Sequence, residues 1–155
     1  MGNATYTVER SATIEASPKV VFDLVADFHH WRQWSPWEDL DPELQRTYSG
    51  PAAGPGAVYE WSGNRKAGQG RMEITDSAEP GRLTIAVEFV KPFKSSSVST
   101  FTFDAAGDGT RVGWSMTGPR SLFMRALGFV FNMDKMIGPD FEKGLARLGT
   151  AAAGS

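Results

Sequence analysis

Polar and apolar positions alternate singly along most of the chain. From Thr5 to Glu15, Val8, Ala12 and Ile14 fall on one parity, while Thr7, Glu9, Ser11, Thr13 and Glu15 fall on the other. That is the pattern of a half-buried strand. Ser17-Pro18 then supplies a favoured N-cap and a proline at the first helical position. Behind it Val20, Val21, Leu24, Val25 and Phe28 predict a helix ending around Phe28 to Trp31, with a further short turn to Trp34. Leu44 to Ser49 reads as a short strand, and from Ala57 the strands come in series. Tyr59 and Trp61 share one face; Met72 and Ile74 follow, then Leu83, Ile85, Val87 and Phe89, then Phe101 and Phe103, then Val112, Trp114 and Met116. Gly63-Asn64, Pro80-Gly81 and Gly107-Asp108-Gly109 mark turns between them. Strands so closely spaced, joined by tight turns, imply antiparallel neighbours.

The last periodic stretch is helical. Met133, Ile137, Phe141, Leu145 and Leu148 form one stripe, with Met136 and Gly144 beside it, and Asp134, Lys135, Asp140, Glu142, Lys143 and Arg147 fill the other side. At 1.5 Å per residue this is about 24 Å of helix. The stripe stays in phase across Gly138-Pro139, which predicts one helix kinked near Gly138 rather than two. Residues 121–131, with Leu122, Phe123, Leu127 and Phe131, read either as a helical lead-in or as a flap over an opening. A sheet wet on one face needs a cover on the other, and the terminal helix is the element long enough to provide it. The expected fold class is α+β: a curved antiparallel sheet of six to seven strands wrapped around a long C-terminal helix, with one or two short helices after the first strand. At 155 residues a single domain over 1–155 is expected, its core at about 5–148.

Composition narrows the function classes. The formal net charge of −2 gives no basic field for nucleic acid or an anionic membrane. Cysteine is absent, which removes disulfides and thiolate chemistry and fits a reducing compartment. The polar start lacks the apolar core of a signal peptide, and no run approaches a membrane span. A cytoplasmic location is expected, with no nucleic-acid partner and no membrane span, as a monomer or homodimer. Asn3-Ala4-Thr5 matches a glycosylation acceptor but lacks the secretory context it needs.

Several stretches invite a chemical reading. His29-His30 are tempting as metal ligands, yet neighbours on a helix point about 100° apart and chelate poorly. The loop Gly50-Pro51-Ala52-Ala53-Gly54-Pro55-Gly56 lacks the strand–turn–helix context of a nucleotide site. No metal and no cofactor are expected. Trp31, Trp34 and Trp37 either plug the gap between helix and sheet or line a pocket. Arg10 lies on the apolar parity of its strand. It either snorkels to water near a strand end or points inward, where it needs a partner or an anionic ligand.

The order of elements resembles the helix-grip fold of the SRPBCC superfamily, which includes START-like and birch-pollen-allergen-like proteins, and most closely its bacterial polyketide cyclase/dehydratase and lipid-transport branch. The residues that carry the resemblance begin with Ile14-Glu15-Ala16-Ser17-Pro18 and Val21-Phe22-Asp23-Leu24-Val25. They continue through Trp34-Ser35-Pro36-Trp37, Tyr59-Glu60-Trp61-Ser62-Gly63-Asn64 and Gly68-Gln69-Gly70-Arg71-Met72. Gly109-Thr110-Arg111-Val112-Gly113-Trp114 and Asp140-Phe141-Glu142-Lys143-Gly144-Leu145 complete the set, so that it spans nearly the whole chain. No single motif is decisive; order and spacing together are specific for the fold rather than for an activity.

The resemblance implies a deep cavity between the concave face of the sheet and the long helix, in which members of the superfamily hold hydrophobic small molecules. The expected ligand-binding residues on the strands are Arg10, Tyr59, Trp61, Met72, Ile85, Val87, Phe89, Phe101, Trp114 and Met116. Trp34, Phe123, Ile137 and Phe141 would join them from the helices and the flap. Aromatase/cyclases of the superfamily use polar groups inside the cavity, an arginine among them. Here the inward parity offers Arg10, the Tyr59 hydroxyl and indole N–H groups, with no inward His, Asp or Glu, so no general base is visible and no catalytic residue is assigned. The expected function is binding or carriage of a small hydrophobic ligand, lipid or polyketide-like. A cyclase/dehydratase-type enzyme and a protein-interaction module of the chaperone-activator type, docking through 122–131, remain open alternatives.

Overall fold

A computed structural model of the chain describes residues 5–65, 67–91, 94–119 and 133–153. The strands are β1 (Thr5–Ile14), β2 (Gln45–Ser49), β3 (Val58–Ser62), β4 (Gln69–Ala78), β5 (Arg82–Lys91), β6 (Ser95–Ala106) and β7 (Gly109–Pro119). They form one antiparallel sheet in the order β1-β7-β6-β5-β4-β3-β2. From β2 onward each strand pairs with the next, as the tight turns predict. The exception is the connection from β1 to β2, which carries the chain from one sheet edge to the other. It contains helix α1 (Pro18–Ala26) and two 3₁₀ turns, Phe28–Gln33 and Pro36–Asp39. Helix α2 (Met133–Ala153) packs chiefly against β1 and also touches α1 and both 3₁₀ turns. This is the expected α+β helix-grip arrangement.

α2 runs unbroken across Gly138 and Pro139 and extends past Leu148 to Ala153. The extra turn is alanine-rich, and alanine favours helix without marking an apolar stripe; Ala152 is nonetheless buried. The flap at 121–131 lies outside the described residues.

α1 shows why the residues that follow it are so rich in rings. The last four carbonyls of a helix have no partner within it. Here Asp23 O accepts from His30 Nδ1 at 2.9 Å, Leu24 O from Trp34 Nε1 at 2.9 Å and Val25 O from Trp31 Nε1 at 2.8 Å. Ala26 O accepts from the backbone N–H of Gly54 at 3.2 Å. Two indoles, an imidazole and one loop amide therefore close the helix, while the Ser17 hydroxyl accepts from Val20 N at its start. His30 is a helix cap. Among the described residues no group of three or more His, Cys, Asp or Glu is placed to hold a metal ion, and no helix is long and apolar enough to cross a membrane.

The inward face of the sheet changes in size from one end to the other. On β6 the inward residues run Ser97, Ser99, Phe101, Phe103. Phe101 and Phe103 sit among Phe22, Trp31, Trp34 and Trp114, with ring centroids 4.7 to 6.3 Å apart, and this end is solid. At the other end Ser97 and Ser99 pair with Val87 and Ile85 of β5, and Ser99 also faces Met116 of β7. Replacing a ring by a hydroxymethyl at the same inward register leaves space that nothing else on the strand can fill.

Candidate functional site

That space is a cavity of about 200 Å³. The strands contribute Tyr59, Trp61, Met72, Ile85, Val87, Phe89, Ser99, Trp114 and Met116 to its wall, and α2 contributes Ile137 and Phe141. Phe141 stacks on Trp114 with centroids 4.0 Å apart and planes within 6°. Trp37 stands edge-on to both rings. Trp61 packs against Gly70, where a Cβ would sit only 2.5 Å from the indole; glycine lets this ring approach β4, with its Nε1 donating to Ala67 O at 2.9 Å.

Ala67 of the β3–β4 turn adds to the wall, and the β1–β2 connection contributes Trp31, Ser35, Trp37, Glu38, Leu40 and Leu44. This segment is pinned to the β3–β4 turn. Asp41 accepts from the backbone N–H of Asn64 and of Glu43, both at 2.8 Å, and Asn64 Nδ2 donates to Leu40 O at 3.1 Å. The same loop then brings Glu38 inward. Its Oε2 accepts from the Tyr59 hydroxyl at 2.6 Å, and its Oε1 from Arg46 Nε at 2.7 Å. Arg46 Nη2 also reaches Glu38 O at 3.3 Å. The Glu38 side chain is only 6% exposed, so the partnership is largely shielded from water.

Burial, then the hydrogen bond to Glu38 and its charge, push the Tyr59 phenol far above its ordinary value. Tyr59 is thus a neutral donor committed to the carboxylate. Burial opposes the Arg46 charge, but the Glu38 hydrogen bond and charge outweigh it and hold the guanidinium above its usual range. Tyr48 stacks on Tyr59 at 5.2 Å, and His29 on Tyr48 at 4.0 Å, so rings brace the phenol from the side away from Trp61.

Of the residues expected to bind ligand, Tyr59, Trp61, Met72, Ile85, Val87, Phe89, Trp114, Met116, Ile137 and Phe141 meet in this wall. Three lie elsewhere. Trp34 is fully buried, its indole committed to Leu24 O. Phe101 is fully buried in the solid end of the interior, one register deeper than Ser99. Arg10 belongs to edge strand β1, whose inward side faces α2 rather than the hollow. Its guanidinium crosses Gly138 and pairs with Glu142 at 2.7 Å, and its Nη1 donates to Glu9 O at 2.7 Å. Phe123 lies outside the described residues.

The expectation of no inward carboxylate is overturned by Glu38, which the alternation of strands could not reveal because it sits in a 3₁₀ turn. A signal was present: Trp31, Ser35 and Glu38 stand four and three residues apart, the spacing of one helical face, and all three reach the cavity.

A family model described as polyketide cyclase/dehydrase and lipid transport matches residues 5–153. No curated protein matches the chain. Among solved structures, an uncharacterised protein from Rhizobium leguminosarum is 15% identical, with a TM-score of 0.70 over 97% of this chain and 96% of that one. Major latex-like protein 151 from Panax ginseng is 16% identical, with a TM-score of 0.68 over 96% of this chain and 98% of that one. DynU16, a protein of the dynemicin biosynthetic locus, is 16% identical with a TM-score of 0.60; the match covers 93% of this chain and 46% of that one. At these identities the likeness is one of fold.

Proposed function

The chain belongs to the polyketide cyclase/dehydrase and lipid transport family, and we propose from this that it binds and carries a small hydrophobic molecule in the cavity between its sheet and α2. One observation carries the reading: a hollow of about 200 Å³ walled by rings and aliphatic side chains, with Glu38 the only charged residue among the described residues of the wall. A natural packed interior leaves few voids larger than a water molecule, so a space of this size lined with apolar groups suits an apolar guest. The test is calorimetric titration with naphthalene. Saturable binding that disappears in a folded Ser99→Phe variant, whose ring would occupy the hollow, supports the reading. Equal binding by both proteins overturns it, as does failure of the native protein to bind either naphthalene or its hydroxyl and amino derivatives.

Glu38 favours a second reading, a cyclase or dehydratase acting in the same cavity. A carboxylate in an apolar wall can take a proton from the methylene between two carbonyls, as ring closure of a polyketide-like chain requires. That reading expects a poly-β-carbonyl substrate to cyclise on the native protein, and Glu38→Gln to abolish turnover while binding survives. Turnover unaffected by Glu38→Gln counts against it.

A further inference from the structure

The cavity combines a strict size with one-sided polarity, and together these specify its guest. We infer that the site selects a compact, neutral, flat molecule of about two fused rings carrying a hydroxyl or amino donor, and discriminates against the corresponding carboxylate. The inference rests on the binding function proposed above and deepens it.

Size is the first argument. Ligand sites for drug-sized molecules enclose roughly 300–1,000 Å³, and this hollow of about 200 Å³ falls below that range. The wall is rich in rings, Trp61 from β3, Trp114 from β7 and Phe141 from α2 among them, which suits a flat aromatic guest.

Charge is the second. A carboxylate only accepts hydrogen bonds and offers about four lone-pair sites over its two oxygens. Arg46 and Tyr59 take one each, leaving acceptor capacity on Glu38, which is part of the cavity wall. Glu38 is in the wall, whereas its partner Arg46 is not. Among the described residues a guest therefore meets the acceptor and not the cation. A hydroxyl or amine can donate to Glu38, whereas a second carboxylate brings like charge to a carboxylate in a poorly hydrated space, the arrangement that disfavours ionisation.

A third observation adds an oxygen acceptor to the guest, which a hydroxyl supplies along with its donor. Trp114 Nε1, belonging to a wall residue only 3% exposed, has no hydrogen-bond partner among the described residues. An unpaired buried donor is costly, and a guest carbonyl or hydroxyl oxygen within reach of it would relieve that cost.

Calorimetric titration at neutral pH with naphthalene, 2-naphthol, 2-naphthylamine and 2-naphthoate separates the ideas. The expected order places 2-naphthol and 2-naphthylamine at least about tenfold tighter than naphthalene, a difference of about 1.4 kcal/mol, with 2-naphthoate weakest. In a folded Glu38→Gln variant 2-naphthoate gains relative to 2-naphthol. Naphthoate binding as tightly as naphthol, or naphthol no tighter than naphthalene, overturns this inference and leaves the cavity reading standing. Binding of none of the four overturns both. The ranking on the native protein decides the matter even where the Glu38 variant fails to fold.

Discussion

Tyr59 gives its only hydroxyl proton to Glu38 at 2.6 Å while Arg46 holds the other carboxylate oxygen at 2.7 Å. Three side chains from a 3₁₀ turn, β2 and β3 are thereby joined beside the cavity. Removing the cation alone leaves a shielded carboxylate without its counter-ion, which typically costs about 3–5 kcal/mol; removing both charges together is often close to neutral. Arg46→Met is therefore expected to destabilise toward the lower end of that range, since its side chain keeps 17% exposure. In a Tyr59→Phe background, Glu38→Met with Arg46→Met should recover most of the loss. Chemical denaturation of the set measures this, and a double substitution as costly as Arg46→Met alone would contradict it.

All three tyrosines, Tyr6, Tyr48 and Tyr59, have their phenols raised above the ordinary value, in each case with burial as the largest cause. The folded chain therefore keeps protons that the unfolded chain releases near pH of about 10. Stability from this source is fully present below that pH and is lost as pH rises above it. Denaturation midpoints should fall steadily on the alkaline side, and less steeply in Tyr59→Phe. Tyrosinate absorbance appearing at the ordinary phenol pKa while the fold persists would be the contrary result.

The caps on α1 make a further expectation. Trp34→Phe keeps a ring in place but removes the donor to Leu24 O, leaving a buried carbonyl unpaired. A loss of roughly 1–3 kcal/mol is expected, read as a lower urea midpoint. Trp31→Phe should behave alike through Val25 O, whereas His30→Ala, in a more exposed position, should cost less.

Two glycines on α2 should respond oppositely to alanine. At Gly138 the added methyl meets the Arg10 guanidinium, the far end of a flexible chain whose partner Glu142 is 62% exposed. An exposed pair is worth little, and alanine gains about 1 kcal/mol of helix propensity, so Gly138→Ala should be neutral or stabilising. At Gly144 the methyl lies 2.9 Å from Trp114 Cζ3 and 3.3 Å from Pro36 Cδ. That indole is clamped by Phe141 and Phe101 and cannot swing away. Gly144→Ala should be destabilising, by overpacking worth about 1–3 kcal/mol less the propensity gain. Thermal melts of the two variants provide the comparison.

The strands were legible because a two-residue period survives wherever one face is wet, and the apolar wall residues from Tyr59 to Met116 followed from parity alone. Ile137 and Phe141 followed from the phase of the last helix. What parity could not convey was depth. Phe101 and Ser99 share a face, yet one fills the interior and the other empties it. Nor could it convey which neighbour an inward face meets: Arg10 points inward on an edge strand and finds a helix there. The roof of the cavity was hidden most completely. Trp31, Trp37 and Glu38 lie in two 3₁₀ turns with Ser35 between them, runs so short that the four-and-three spacing of Trp31, Ser35 and Glu38 is the whole of their signal, and the role of Trp31 and Trp34 as caps has no counterpart in hydropathy.

Those caps tie the fate of α1 to residues that come after it. Nine residues are too few to hold a helix in water unaided, and this one is finished by groups from the next eight positions and from Gly54. It follows that the segment cannot fray on its own: unwinding its last turn means pulling two indoles out of the interior. Its amide protons should exchange with solvent on the slow schedule of β6 and β7 rather than on that of a surface helix.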